Sequence, residues 1–336
     1  MSELTRRLLL ALVGIPLTLG LIYAGGWIFV AALGGVAAIG AWELFRMARV
    51  AGHEPLDTAG IVIAACIPLL VHASYLEVFH FTLTTAMLVF MALLASVIWL
   101  RGTTRMPLVS FALTVVGVIY PSLVTYMYPL RNHDYAIGAL AGTVLVMFPI
   151  LVTWSTDTGA YMFGRLFGRR KLIPSVSPAK TLEGALGGLL VAVLFAWLYV
   201  TFLLEPFAQL SVLPLGIVVF GLTIAATAQI GDLVESLLKR DAGVKDSSKL
   251  LPGHGGFLDR FDSLLFVLPV AYLLLGHLLV PSQDDAARRC HTRVHWVDRH
   301  NCIEGSVATS RGLQGHCAHC TQQCSSSRRA AGAVCA

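Results

Sequence analysis

Apolar positions along this chain gather into nine blocks, and most of the charged positions fall in the intervals between them. The blocks run approximately 7–24, 27–45, 58–75, 80–99, 107–128, 135–160, 183–204, 211–235 and 262–280. Each is about 17 to 25 residues long, the length at which a helix crosses the hydrocarbon of a bilayer. Inside lipid every backbone N–H and C=O must find a partner within the protein, and a helix satisfies its own. The pattern predicts an all-α integral membrane protein, a polytopic bundle of about nine transmembrane helices occupying residues 1–281. Beyond residue 282 the blocks stop.

Composition agrees. The chain is 56% hydrophobic and only 13% charged, whereas soluble domains carry about 25% charged residues. The opening RRLLLALVGIPLTLGLIYAGG has the basic start and apolar middle of a signal peptide. A second block follows almost at once, however, and the apolar stretch is long for a signal. Lys and Arg then fix orientation. Connections on one side hold Arg6, Arg7, Arg46, Arg49, Arg101, Arg105, Arg165, Arg169, Arg170, Lys171, Lys180, Lys239, Arg240, Lys245, Lys249 and Arg260. The alternating connections hold Arg131 alone. The positive-inside rule places the rich side in the cytoplasm. The net charge of +5 therefore reflects topology, and no basic face with interleaved aromatics suggests nucleic acid.

The first five spans have short connections and read as scaffold. Gly138 with Gly142, and Gly184 with Gly188, are small residues at helical spacing that suit close packing in lipid. No internal repeat is visible, which weakens an inverted-repeat transporter reading. Two longer connections differ in kind: GRLFGRRKLIPSVSPAKT (164–181) and SLLKRDAGVKDSSKLLPGHGGFLDRFDS (236–263). The second packs nine charged side chains into 28 residues. The tail 282–336 holds seven Arg, no Lys and six of the seven cysteines. It lacks core-forming periodicity, so disorder is expected there. Its GHCAHCTQQC (His316, Cys317, His319, Cys320, Cys324) resembles a zinc cluster but fits no standard spacing.

Acids at the ends of spans carry the candidate chemistry. Asp157 lies in VTWSTDTGAYMFG and Asp232 in TAQIGDLVESLLKR, and a carboxylate in a bilayer normally faces a cavity, a partner or an ion. Asp232, Glu235, Ser236 and Lys239 share one helix face. That face is either a polar seam between helices or the wall of a cavity. Asp259 and Asp262, one turn apart, suit a shared Mg²⁺ or simply the dipole of a helix N-terminus. Lys239, Arg240, Lys245 and Lys249 would neutralise a polyphosphate, and PGHGG offers backbone N–H groups near a helix start. Metal, basic groups and exposed donors together stabilise phosphoryl and nucleotidyl transfer. Neither a P-loop nor GxGxxG is present. His254 is a loop residue or a phosphate contact. His72 and His277 read as packing residues, and Glu43 with Arg46 as an interfacial i, i+3 pair.

These motifs resemble the phosphatidate cytidylyltransferases, or CDP-diacylglycerol synthases. SLLKRDAGVKDSSKLLPGHGGFLDRFD is similar to that family's signature through Ser236, Lys239, Arg240, Lys245, Asp246, Pro252, His254, Gly255, Gly256, Asp259, Arg260 and Asp262. WSTDTGAYMFGRLFGRRKLIPSVSPAKTLEG is similar to its second shared segment. The likeness covers roughly residues 1–280. It implies CMP transfer from CTP to phosphatidate within the lipid bilayer, giving CDP-diacylglycerol and pyrophosphate for phospholipid biosynthesis. It also implies a Mg²⁺ requirement and K⁺ activation, with metal binding at Asp232 and Asp259. A homodimer is compatible with the resemblance. Relatives of that family tend to end soon after the last span, and the tail's composition suits an out-of-frame reading of a GC-rich gene.

The expectation is thus a multi-pass enzyme of the inner (plasma) membrane with its active site facing the cytoplasm. Asp232, Asp259, Lys239 and Arg240 are the expected catalytic groups. Asp262 and Asp157 join Asp232 and Asp259 at the metal. Lys180, Ser177, Thr181, Lys245, Asp246, His254 and Arg260 are expected at the substrates. The alternatives are an ion or lipid transporter with a cytoplasmic acidic cavity, or a related lipid nucleotidyltransferase or polyprenol kinase. The CDP-alcohol phosphotransferases are disfavoured because their DGxxAR-type motif is absent.

Overall fold

The computed structural model describes residues 3–80, 82–101, 106–134, 136–250 and 255–281. The chain divides into two compact units at Val280, and the first, Met1–Val280, contains the helices described below. They are α1 (Glu3–Ala24), α2 (Gly26–Val50), α3 (Asp57–Tyr75), α4 (Leu83–Arg101), α5 (Pro107–Ser122), α6 (Met127–Arg131), α7 (Ala139–Phe167), α8 (Leu182–Tyr199), α9 (Pro214–Asp241) and α10 (Leu258–Leu278). Eight stretches among the described residues are long and apolar enough to cross a membrane. The expected first span is helical as α1, although only its Leu12–Ala24 portion registers as an apolar helix.

Proline explains where spans depart from simple helices. Pro121 lies near the end of α5, where its missing N–H and fixed φ disfavour regular α-helix. A 3₁₀ turn (Leu123–Tyr126) follows and leads into α6, so three pieces make the one span Pro107–Arg131. Likewise α8 runs into a π-helical stretch, Val200–Ala208, that contains Pro206. Much of α4 is exposed, with Met87, Phe90, Ile98 and Trp99 all on the surface, as a helix facing lipid tails should be.

Packing concentrates where the later helices meet. Phe148 of α7 stacks on Tyr199 of α8 at 5.0 Å between ring centroids and on Phe220 of α9 at 4.3 Å. Glycines allow α7 and α8 to approach closely. A Cβ at Gly184 would lie 2.7 Å from the Ala160 carbonyl oxygen, and one at Gly188 would lie 2.9 Å from that of Thr156. The Gly184/Gly188 pair is thus the packing seam that its spacing predicts, and Gly142 is similarly tight against Arg131. Gly138 is not part of such a seam: it precedes α7 with φ at +93° and open space around it.

The 164–181 connection is partly ordered as strands, a small exception to the all-helical expectation. The segment β1 (Lys171–Ile173) pairs antiparallel with β2 (Ser177–Thr181), Lys171 opposite Thr181 and Ile173 opposite Ser177. The Val176 N–H closes the turn on the Ile173 carbonyl at 3.2 Å. A second short pair joins β3 (Leu210–Val212) to β4 (Leu279–Pro281). His72 is buried as expected, against Trp27 and with Nδ1 2.5 Å from the Tyr128 hydroxyl. His277 is exposed rather than packed.

Candidate active site

Thr181 sets one wall of the site. It caps α8, its hydroxyl accepting from the Gly184 N–H at 3.2 Å. Glu183 accepts the N–H groups of Arg169 at 3.0 Å and Arg170 at 3.2 Å, holding the start of the hairpin against the same helix end. With Gly164 and Gly184 in close approach, the residue before the cap, Lys180, is delivered over α7 towards α9. Its ammonium lies 2.6 Å from Oδ2 of Asp232. Between these elements opens a cavity of about 400 Å³ lined by Asp157, Tyr161, Arg165, Lys180, Thr181, Gln229 and Asp232, among others.

The predicted polar face of α9 forms as expected. Ser236 donates to Oδ1 of Asp232 at 3.3 Å, and Lys239 forms an ion pair with the fully buried Glu235. The same ammonium stands 2.7 Å from Oδ1 of Asp259, the second residue of α10. A close crossing brings α9 and α10 together, because a Cβ at Gly231 would lie 3.0 Å from the Asp262 carbonyl. Asp157, Asp232 and Asp262 are near enough to repel one another electrostatically.

Asp259 is fully engaged. Its Oδ2 accepts from the Gly256 N–H at 2.8 Å, the Ser247 N–H at 3.0 Å and the Ser247 hydroxyl at 3.1 Å. Gly255 has φ at +78°, and a Cβ on it would lie 2.9 Å from that same oxygen. The paired glycines of PGHGG therefore let the backbone wrap a carboxylate.

The predicted residues do not all gather in one place. Asp157, Lys180, Thr181 and Asp232 share the cavity, while Lys239 and Asp259 form a part-buried pair outside its lining. Asp262 sits between them on α10, donating nothing and accepting the Ser263 N–H at 2.6 Å. Ser177 lies in β2 away from the cavity lining. Arg240, Lys245, Asp246 and Arg260 are exposed and do not line the cavity. His254 and the tail's His/Cys cluster lie outside the described residues.

A hard cation was tested against these donors. Among the described residues no three His, Cys, Asp or Glu side chains stand close enough to hold a metal ion as they are placed. The chemistry of the set nonetheless suits one: the carboxylates of Asp157, Asp232 and Asp262 repel one another, and only Asp232 among them is ion-paired to a lysine. Nearby, the buried hydroxyl of Tyr120 has no hydrogen-bond partner and lies within electrostatic range of Glu235, Asp262 and Asp232. Asp259, with both oxygens engaged, suits the role of lysine holder better than that of a free ligand.

Two residues of α2, Glu43 and Arg46, read from the sequence as an interfacial pair, belong instead to this region. Glu43 is fully buried and accepts four hydrogen bonds from the segment joining α9 to α10. Arg46 donates to the Ser247 carbonyl at 2.9 Å. They are not an interfacial pair. The signal available was Glu43 itself, the one carboxylate inside an otherwise apolar second span.

The fold and site coincide with an independent likeness. A family model described as the Cytidylyltransferase family matches residues 5–278. The chain is 33% identical over 279 residues to a protein of Bacillus subtilis (strain 168) named phosphatidate cytidylyltransferase, covering 82% of this chain and 99% of that one. Proteins of the same name from Synechocystis sp. and Haemophilus influenzae are 33% and 34% identical. The first alignment covers 82% of this chain and 97% of the relative, the second 72% and 87%. The chain belongs to the cytidylyltransferase family, and it is a multi-pass membrane protein of that family.

Proposed function

We propose that this protein transfers CMP from CTP to phosphatidate, yielding CDP-diacylglycerol and pyrophosphate. The observation that carries the reading is the cavity towards the helix ends that Asp157, Arg165, Lys180 and Asp232 help to line. It sets Lys180 against Asp232 within a bundle that belongs to the cytidylyltransferase family. A phosphatidate oxygen forms a bond to the α-phosphorus of CTP while the bond from that phosphorus to the α–β bridging oxygen breaks. Pyrophosphate leaves with that electron pair. The attacking phosphate is already anionic, so the step requires no strong general base. Rate enhancement then comes from alignment and charge neutralisation.

In this reading Lys180, at the cavity, and Lys239, outside its lining, offset phosphate charge. Thr181 orients the nucleotide from the capped end of α8. Ser177, Arg240, Lys245, Asp246 and Arg260 are assigned to contacts with the substrates, and His254 of PGHGG to a phosphate. Asp157, Asp232 and Asp262 would hold Mg²⁺, and Asp259 would join them only by releasing Lys239. When bound, that ion would draw charge from the phosphates. The sixteen-to-one distribution of Lys and Arg supports a cytoplasmic site, and the bacterial relatives support residence in the inner membrane. A transporter is not favoured, since Asp157, Asp232, Asp259 and Asp262 gather near one end of their helices instead of lining the membrane's depth.

The test supplies purified membranes with Mg²⁺, CTP labelled at the α-phosphorus in one arm and at the γ-phosphorus in another, and a panel of phosphatidate, diacylglycerol and polyprenol. The expected product is CDP-diacylglycerol from phosphatidate alone. Labelled polyprenyl phosphate would support the kinase alternative, and no lipid product with any acceptor would contradict enzymatic transfer.

A further inference from the structure

Glu43 presents an unusual carboxylate. It lies in α2, almost two turns before the helix ends, and no part of its side chain meets solvent. Burying such a charge requires compensation, and here the partners are neutral donors far away in sequence. One oxygen accepts from the Ser248 hydroxyl at 2.5 Å and the Phe257 N–H at 2.8 Å. The other accepts from the Ser247 hydroxyl at 3.0 Å and the Leu258 N–H at 2.6 Å. The two backbone donors begin α10, whose N-terminal N–H groups have no intrahelical acceptors and favour negative charge. Glu43 therefore caps α10 from another helix and ties Ser247 and Ser248 to the same point.

The grip leads on to the site. Ser247 also donates its N–H to Asp259, its single hydroxyl proton is shared between Glu43 and Asp259, and Asp259 holds Lys239. Space is tight: a Cβ on Gly256 would lie 2.7 Å from Glu43 Oε1 and overlap the Ser247 hydroxyl. We infer that Glu43 is a positioning residue, clamping the segment between α9 and α10 so that Ser247 sets Asp259, and Asp259 sets Lys239, at the candidate active site. The catalytic part of this inference rests on the proposed cytidylyl transfer; the clamp itself does not.

Two readouts separate those parts. Hydrogen exchange at Phe257 and Leu258 in detergent reports the clamp, and CMP transfer per folded molecule reports its consequence. Glu43→Ala should speed exchange at these amides at least tenfold while leaving α7 and α8 unchanged, since segments open as local units. Turnover should fall at least tenfold. Glu43→Gln, whose amide oxygen still accepts, should recover part of both. If Glu43→Ala does not accumulate as folded protein, Ser248→Ala removes one of the four bonds and should give a smaller change in the same direction. Exchange unchanged in Glu43→Gln and Ser248→Ala, or turnover per folded molecule within twofold of the parent in Glu43→Ala, overturns the inference. Should the parent itself make no product, the proposed reaction fails while the exchange result still judges the clamp.

Discussion

The ammonium of Lys239 in α9 lies 2.7 Å from Oδ1 of Asp259 in α10, and the same ammonium pairs with the buried Glu235 one turn earlier. One lysine thus fastens two helices across their crossing, between two carboxylates. The other lysine of the site, Lys180, faces Asp232 at 2.6 Å. The two lysines therefore stand in separate groupings, an open pair of Lys180 with Asp232 at the cavity and a part-buried trio of Lys239 with Glu235 and Asp259.

The open pair should be the more sensitive in chemistry. Asp232→Asn keeps the size and loses the charge, and it is expected to lower turnover about a hundredfold or more, the scale of one strong transition-state interaction. Membrane insertion should persist. Titrating turnover against Mg²⁺ in the variant checks this, and near-normal rates would remove Asp232 from the machinery.

The part-buried Lys239–Asp259 pair should show mixed effects. Asp259→Asn weakens the hold on Lys239 and on the Ser247 and Gly256 donors. Each buried donor left unpaired costs about 1–3 kcal/mol. The variant should lose thermal stability in detergent as well as most of its turnover. Lys239→Ala, by contrast, should also raise the KM for CTP, because it takes positive charge from the phosphate side.

The α7–α8 seam makes a purely structural prediction. Gly188→Ala would place a methyl 2.9 Å from the Thr156 carbonyl oxygen and 3.2 Å from the Ala160 Cβ. Such overpacking costs about 1–3 kcal/mol, visible as a lower thermal midpoint. At Gly35 nothing lies within 4 Å of an added Cβ, so Gly35→Ala should be neutral or slightly stabilising.

Orientation is checked by chemical labelling. In a cysteine-free background, single cysteines replacing the exposed Arg169 or Lys245 should react with an impermeant thiol reagent only after permeabilisation. One replacing Asp134 should react in intact cells. The opposite pattern would invert the topology.

The tail makes a separate prediction. Ending the chain at Ser282 should leave product formation within a few-fold of the full chain, measured in membranes at matched expression. A collapse of activity in a well-inserted truncation would assign the tail a role.

What could be read from the residues was whatever repeats locally. Apolar blocks declared the spans because lipid imposes one length on each of them, and the i, i+3, i+4, i+7 face of Asp232, Glu235, Ser236 and Lys239 needed only helical geometry. The family likeness lay in two contiguous stretches. Relations across the bundle were not legible. Glu43 and Ser248 are 205 positions apart, so the nearest visible partner, Arg46, suggested an ordinary surface pair. Asp232 and Asp259 suggested one shared cation because both end in carboxylates at the same membrane side. Which lysine meets which acid depends on the crossing at Gly231 and on the hairpin that carries Lys180, and neither has a local signature.

The central claim is that the α-phosphate of CTP ends on a lipid phosphate at the site bounded by Lys180 and Asp232. It is tested most directly by incubating the purified protein with phosphatidate and CTP labelled at either the α- or the γ-phosphorus. The account predicts α-label in CDP-diacylglycerol, γ-label only in pyrophosphate, and loss of both signals in Asp232→Asn. Label from the γ-position in the lipid, or undiminished α-label transfer by Asp232→Asn, would contradict it.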